Sequence, residues 1–117
     1  LKRTFIYSEK FGRQWKDAGL NENRLKELQE SLTKNPDQGD VISGGNGLRK
    51  VRHKIPGKGK SGGIRVIYID FPEQERIYLL LVYKKSVQED MTPNQKKILV
   101  DNVSEIRKEL VNKGGIK

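Results

Sequence analysis

Residues 47–85 read GLRKVRHKIPGKGKSGGIRVIYIDFPEQERIYLLLVYKK, and this stretch decides the fold. Leu48 to Ile55 alternates. Val51, His53 and Ile55 share one side and Lys50, Arg52 and Lys54 the other, the pattern of a half-buried strand with a cationic face. A glycine-rich loop, PGKGKSGG, follows, and Ile64 to Ile69 reads as a richer strand. Asp70 to Glu75, with Pro72, is a connection of hairpin length. Arg76 to Tyr83 is apolar on both faces, so it is expected to be the central strand, covered on each side. The connections are too short for parallel crossovers, which predicts antiparallel pairing of these strands.

Working outward to the N-terminus, Thr4 to Tyr7 is a short aromatic and β-branched strand, and Ser8 can cap a helix after it. Phe11, Trp15 and Ala18 recur at helical spacing and predict a helix of a few turns ending at Gly19. Asn21 is the N-cap of a second helix, with Glu22 in its first turn and Leu20 and Leu25 placed as a hydrophobic staple. Leu25, Leu28 and Leu32 supply its buried stripe until Asn35 and Pro36 stop it. From Pro36 to Gly47 the composition turns to loop residues anchored by Val41 and Ile42.

Toward the C-terminus, Asp90 and Thr92 precede Pro93, a residue suited to the first helical position. Ile98, Leu99, Val103, Ile106 and Leu110 continue at helical spacing, and residues 112–117 fray. The expectation is an α+β fold in one domain over residues 1–117, in the order β-α-α-β-β-β-α. The first strand joins an antiparallel-dominated sheet, helices collect on one face, and loops and charge gather on the other.

Composition narrows the chemistry. With no cysteine there are no disulfides or thiolate metal sites, and one histidine, His53, excludes an imidazole cluster. The acidic residues fall mostly on predicted helices, so no metal site and no cofactor is expected. No apolar run approaches the roughly 18 residues of a membrane span, and the start is not signal-like. The 24 basic and 15 acidic residues leave a net charge of +9, which attracts phosphate backbones from a distance.

The charge is concentrated. Arg49, Lys50, Arg52, Lys54, Lys58, Lys60 and Arg65 are seven cations in a stretch without Asp or Glu. Lys50, Arg52 and Lys54 repeat along one side at roughly 6.6 Å, comparable with the spacing of neighbouring phosphates in a nucleic acid strand. The glycine loop adds Lys58, Lys60 and accessible backbone N–H groups. It lacks the spacing and the following helix of a phosphate-binding Walker loop. Arg65 shares parity with Ile67 and Ile69, so alternation points it at an apolar face, while its place at a strand end lets its planar fork reach a phosphate. Lys84 and Lys85 follow the last strand and can lie near the basic one. Convergence of these groups would suit cleavage of RNA without metal, in which the 2′-OH attacks the adjacent phosphate. His53 titrates in the right range but has the opposite parity, with Val51, and reads as a core or edge residue.

The runs GLRKVR, GKGKSGGIRVIYI and IYLLLVYKK, with this order of elements, resemble the RelE superfamily of bacterial toxins, and most of all its HigB-like branch. The resemblance spans about Phe5 to Leu110. It implies a compact α+β toxin that enters the ribosomal A site, cuts translated mRNA there and is neutralised by a cognate antitoxin. The implied partners are therefore that antitoxin and the ribosome with its mRNA and rRNA, and the implied location is cytoplasmic. Residue by residue, Lys50 and Arg52 match the family's phosphate-holding, proton-transferring basic pair, and Arg65 its contact to the scissile phosphate. Lys85 fits the basic residue after the last strand that stabilises the transition state or leaving group, with Lys84 the alternative in register. Lys54, Lys58, Lys60, Lys84 and Tyr83 are candidate RNA contacts. Where the best-studied branch carries a stacking and acid–base tyrosine, this chain reads SVQEDMT, with Met91 near that place and no aromatic. Another residue then takes that proton, or Tyr83 or Tyr68 positions the base, or cleavage is slower. Two further readings are a noncatalytic nucleic-acid-binding module and a gyrase-directed toxin, the latter after a sister branch of the fold.

Overall fold

The computed structural model describes residues 2–54 and 63–112. Its elements are β1 (Thr4–Tyr7), α1 (Glu9–Asp17), α2 (Glu22–Lys34), β2 (Asp40–Val41), β3 (Arg49–His53), β4 (Ile64–Phe71), a 3₁₀ turn (Pro72–Gln74), β5 (Arg76–Lys84) and α3 (Pro93–Asn112). This is the expected α+β order with one addition, the two-residue strand β2, which pairs with β3 through Val41 opposite Arg49.

The local signals act as their chemistry dictates. Ser8 Oγ accepts from Phe11 N, and Asn21 Oδ1 from Arg24 N, capping α1 and α2. At the end of α1, Leu20 N reaches Trp15 O and Gly19 N reaches Lys16 O, the paired bonds of a Schellman motif. Gly19 takes φ +83°, which residues with a Cβ rarely adopt. Thr92 and Gln95 form a reciprocal capping box at α3, each side chain accepting from the other's backbone N–H.

The strands form one sheet in the order β1-β5-β4-β3-β2. β1 runs parallel to β5, and the remaining pairs are antiparallel. β5 is interior as expected, but the middle strand of the five is β4, because β1 lies beyond β5 and β2 beyond β3.

The helices do not gather on one face. Phe11 and Trp15 of α1 and Leu25, Leu28 and Leu32 of α2 pack with Val51, Val66, Tyr68, Ile77 and Val82. Leu99, Val103 and Leu110 of α3 pack instead with Leu48, Ile67, Ile69, Phe71 and Leu81. The reason is in the strands: β4 and β5 are apolar on both sides, so each face of the sheet needs a cover.

One irregularity sets the geometry of the site. Ile67 pairs with Leu81 but Tyr68 pairs with Leu79, so Leu80 is an extra residue on β5. Plain alternation would put Tyr83 on the side of Ile77 and Leu79. The bulge turns it to the opposite side, into the α3 cluster.

The loop before β3 is held from both faces. Tyr68 hydroxyl donates to Pro36 O (2.7 Å) and accepts from Gly39 N (2.9 Å), both buried bonds. A Cβ at Gly39 would stand 2.8 Å from the Tyr68 ring, so only glycine permits this approach. On the other side Lys96 Nζ donates to Ser43 O, and Arg107 donates to Asn46 O and Oδ1 while lying over the Phe71 ring. Among the described residues no helix is long and apolar enough to cross a membrane.

Candidate nucleic-acid interface

Residues directly opposite in an antiparallel pair share a face. Arg52 pairs with Arg65, Arg65 with Tyr83, and Lys50 with Ile67. Lys50, Arg52, Arg65 and Tyr83 therefore lie on the α3 side of the sheet, and Arg52, Arg65 and Tyr83 form a row crossing β3, β4 and β5. α3 covers Ile67, Ile69 and Leu81, further along the same face. The cationic row stands at the end of the sheet nearest the described limits of the glycine loop.

Arg65 resolves its two sequence readings by geometry. It keeps the parity of Ile67 and Ile69, yet sits at the start of β4, half-buried rather than enclosed. Arg52 stands directly opposite it, so two guanidinium-bearing residues share this end of the face.

Lys50 and Tyr83 meet at a residue that sequence reasoning passed over. Asp90 Oδ1 accepts from Lys50 Nζ (3.3 Å), from Tyr83 hydroxyl (3.4 Å) and from its neighbour Met91 N (2.8 Å). The Met91 N–H bond is the main influence holding the Asp90 carboxyl below the usual carboxylate range, with Lys50 and Tyr83 adding to it. Burial, then the Asp90 charge and hydrogen bond, push the Tyr83 hydroxyl up to about 12, with Arg65 opposing. By sequence Asp90 reads as part of the helix start. The structure gives that work to Thr92, which frees the carboxylate to meet the basic strand. The available signal was its place: an ionisable group immediately before Met91, in the segment without an aromatic.

The remaining candidates divide. Lys85 N donates to Gly63 O (3.4 Å), which brings the end of β5 beside the start of β4. Its ammonium lies 3.8 Å from exposed Glu89, a weak surface pair. Lys84 pairs with Ile64, whose side chain belongs to the α1–α2 core, so Lys84 lies on the face away from Arg65. Lys54 directly follows β3 and is exposed. Lys58 and Lys60 lie outside the described residues.

Three other residues fall on the packing side. Arg49 donates to Asp37 O and Gly39 O and braces the loop instead of joining the row. Tyr68, open to either use in the sequence, is fully buried on the α1–α2 side and holds that same loop. His53 lies against Trp15 with ring centroids 6.4 Å apart, and burial lowers its imidazole pKa. Its Nε2 is buried without a partner among the described residues, a core position away from the cationic row.

A groove of about 520 Å³ opens elsewhere, between α1, the β1–β5 edge and α3, lined in part by Tyr7, Leu80, Ile98 and Ile106. It contains none of the cationic row. Among the described residues no group of three or more His, Cys, Asp or Glu is placed to hold a metal ion.

This architecture is shared. The chain is similar in structure to a mutant of the E. coli toxin RelE in the free state, with a TM-score of 0.53 and 17% sequence identity, over 76% of this chain and 90% of that one. The family model described as the RelE toxin of the RelE/RelB toxin–antitoxin system matches residues 2–113. With nearly the whole described chain matched, the protein belongs to the RelE family of toxins from toxin–antitoxin systems.

Proposed function

We propose that this toxin is a ribosome-dependent endoribonuclease that cuts translated mRNA in the A site, by metal-independent attack of a 2′-OH on the adjacent phosphate. The observation that carries this reading is the row Arg52–Arg65–Tyr83 across three strands, with Lys50 on the same face. Arg65 and Arg52 hold the scissile phosphate and stabilise the charge that develops on it, the effect with most leverage in phosphoryl chemistry. Lys50 adds a phosphate contact from β3. Lys85, at the β5 end beside Gly63, protonates the leaving 5′ oxygen. Lys54 and, beyond the described residues, Lys58 and Lys60 extend the contact to neighbouring phosphates. We assign Lys84, on the other face, to solvent and rRNA. Motifs of the glycine loop and β4 favour the HigB-like branch.

The character of the site supports dependence on the ribosome. The described residues of the site supply charge but little orientation, so the ribosome supplies the pose of the codon. Family membership implies a cognate antitoxin, and the setting is the cytoplasm, where translated mRNA lies.

Primer extension on mRNA from a translating extract tests the proposal. New 5′ ends within the reading frame are expected with this protein and not with Arg65→Ala. Active, folded protein that leaves translated mRNA whole would refute it. Retention of RNA without cutting would then favour a binding module, and inhibited supercoiling a gyrase-directed toxin.

A further inference from the structure

Cleavage by a 2′-OH needs a proton acceptor, and the cationic row is poor in them. Charged lysine and arginine have no lone pair to offer. Tyr83 hydroxyl remains protonated at neutral pH and is itself a donor to Asp90. Asp90 is different in kind: a carboxylate seated among the donors. Its Oδ1 takes all three hydrogen bonds, from Lys50 of β3, Tyr83 of β5 and Met91 N, while Oδ2 accepts none among the described residues. The side chain is 63% exposed, so a substrate hydroxyl can reach that second oxygen. The bonds to Oδ1 fix the carboxylate against β3 and β5, beside the row headed by Arg65 of β4.

We propose that Asp90 is the general base of the reaction, an inference that rests on the nuclease reading above. Asp90 Oδ2 takes the proton of the 2′-OH as the bond from the 2′ oxygen to phosphorus forms. The bond from phosphorus to the 5′ oxygen breaks, its electron pair leaves on that oxygen, and the Lys85 ammonium protonates it. The products are a 2′,3′-cyclic phosphate and a 5′-hydroxyl, and exchange with water resets both side chains. Lys50 and Tyr83 are positioning residues for the carboxylate. Asp90, its carboxyl held below the usual carboxylate range by the Met91 N–H bond, is ionised at neutral pH.

The test is single-turnover cleavage on ribosomes programmed with a short mRNA, followed between about pH 6 and about pH 9. Wild-type protein should give a flat profile, its base being already ionised. Asp90→Asn should be slower by about 10²- to 10⁴-fold, and its residual rate should climb about tenfold per pH unit as hydroxide replaces the lost base. Asp90→Glu should recover much of the rate with the flat profile. An Asp90→Asn protein within about threefold of wild type, or faster than it, would overturn the assignment; a faster enzyme would mean that Asp90 masks Lys50. Slow cutting with a flat profile and no recovery in Asp90→Glu would also overturn it, showing a positional role alone. Thermal melting of both variants separates loss of fold from loss of chemistry. If wild-type protein leaves the ribosome-bound mRNA intact, the nuclease reading itself has failed.

Discussion

Arg65 faces Arg52 on one side and Tyr83 on the other, and its main chain is fixed by pairing on both edges. Removing its guanidinium therefore takes charge from the site without opening the core. Arg65→Ala should lower the single-turnover cleavage rate by about 10²- to 10³-fold, the usual effect of deleting one donor to a developing anion. Urea unfolding should be little changed, within about 0.5 kcal/mol. Asp90 gives a separate signature in stability. Its carboxyl titrates lower in the folded chain than in the unfolded one. The stability from its contacts is fully present above the unfolded value of about 3.9 and is lost as pH falls through the lower folded value. The melting temperature of Asp90→Asn should accordingly fall less than that of wild type between about pH 5 and about pH 2.5, as read by circular dichroism. A parallel fall in both proteins would mean that the contacts to Lys50, Tyr83 and Met91 N contribute nothing in solution.

At the scale of elements, α3 and β5 jointly place the site. The capping box of Thr92 and Gln95 fixes where α3 begins, and so where the loop carrying Asp90 must end. Thr92→Ala should cost about 1 kcal/mol, the typical worth of such a cap, measured by urea denaturation. Most of this scaffold was legible in the sequence. Ser8, Asn21 and Pro93 mark helix starts through chemistry local to each end, and the alternation of Lys50, Val51, Arg52 and His53 separates both faces of β3 correctly. The features that escaped depend on pairing between distant segments. The extra residue Leu80 exists only in the register of β5 against β4, so Tyr83's side could not be read from parity. RIYLLLVY implies cover on both faces, which the expectation of helices on a single face did not honour. Asp90 reads locally as a helix-start residue, and its contact with Lys50 spans 40 positions.

The whole molecule carries a net charge of +9, and the cationic row is its focused part. Affinity for RNA should thus fall steeply with salt, because bound phosphates release counterions. Filter binding to a single-stranded RNA over a salt series should show Lys54→Ala lowering the slope of log affinity against log salt by roughly one unit. An unchanged slope would place Lys54 outside the phosphate track. The broader layout agrees with that division of labour: two apolar clusters on opposite sides of one sheet, and the cations at the sheet end that α3 leaves open.

The most direct measurement is a structure of this protein on a ribosome whose A-site codon carries a 2′-O-methyl group, which blocks attack and traps the substrate. The phosphate 3′ to that group is expected within hydrogen-bonding reach of Arg65 and Lys50, with Asp90 beside the blocked 2′ oxygen. A codon seated instead on the α1–α2 side, or along the groove between β1 and α3, would contradict the assignment of the cationic row as the nuclease site.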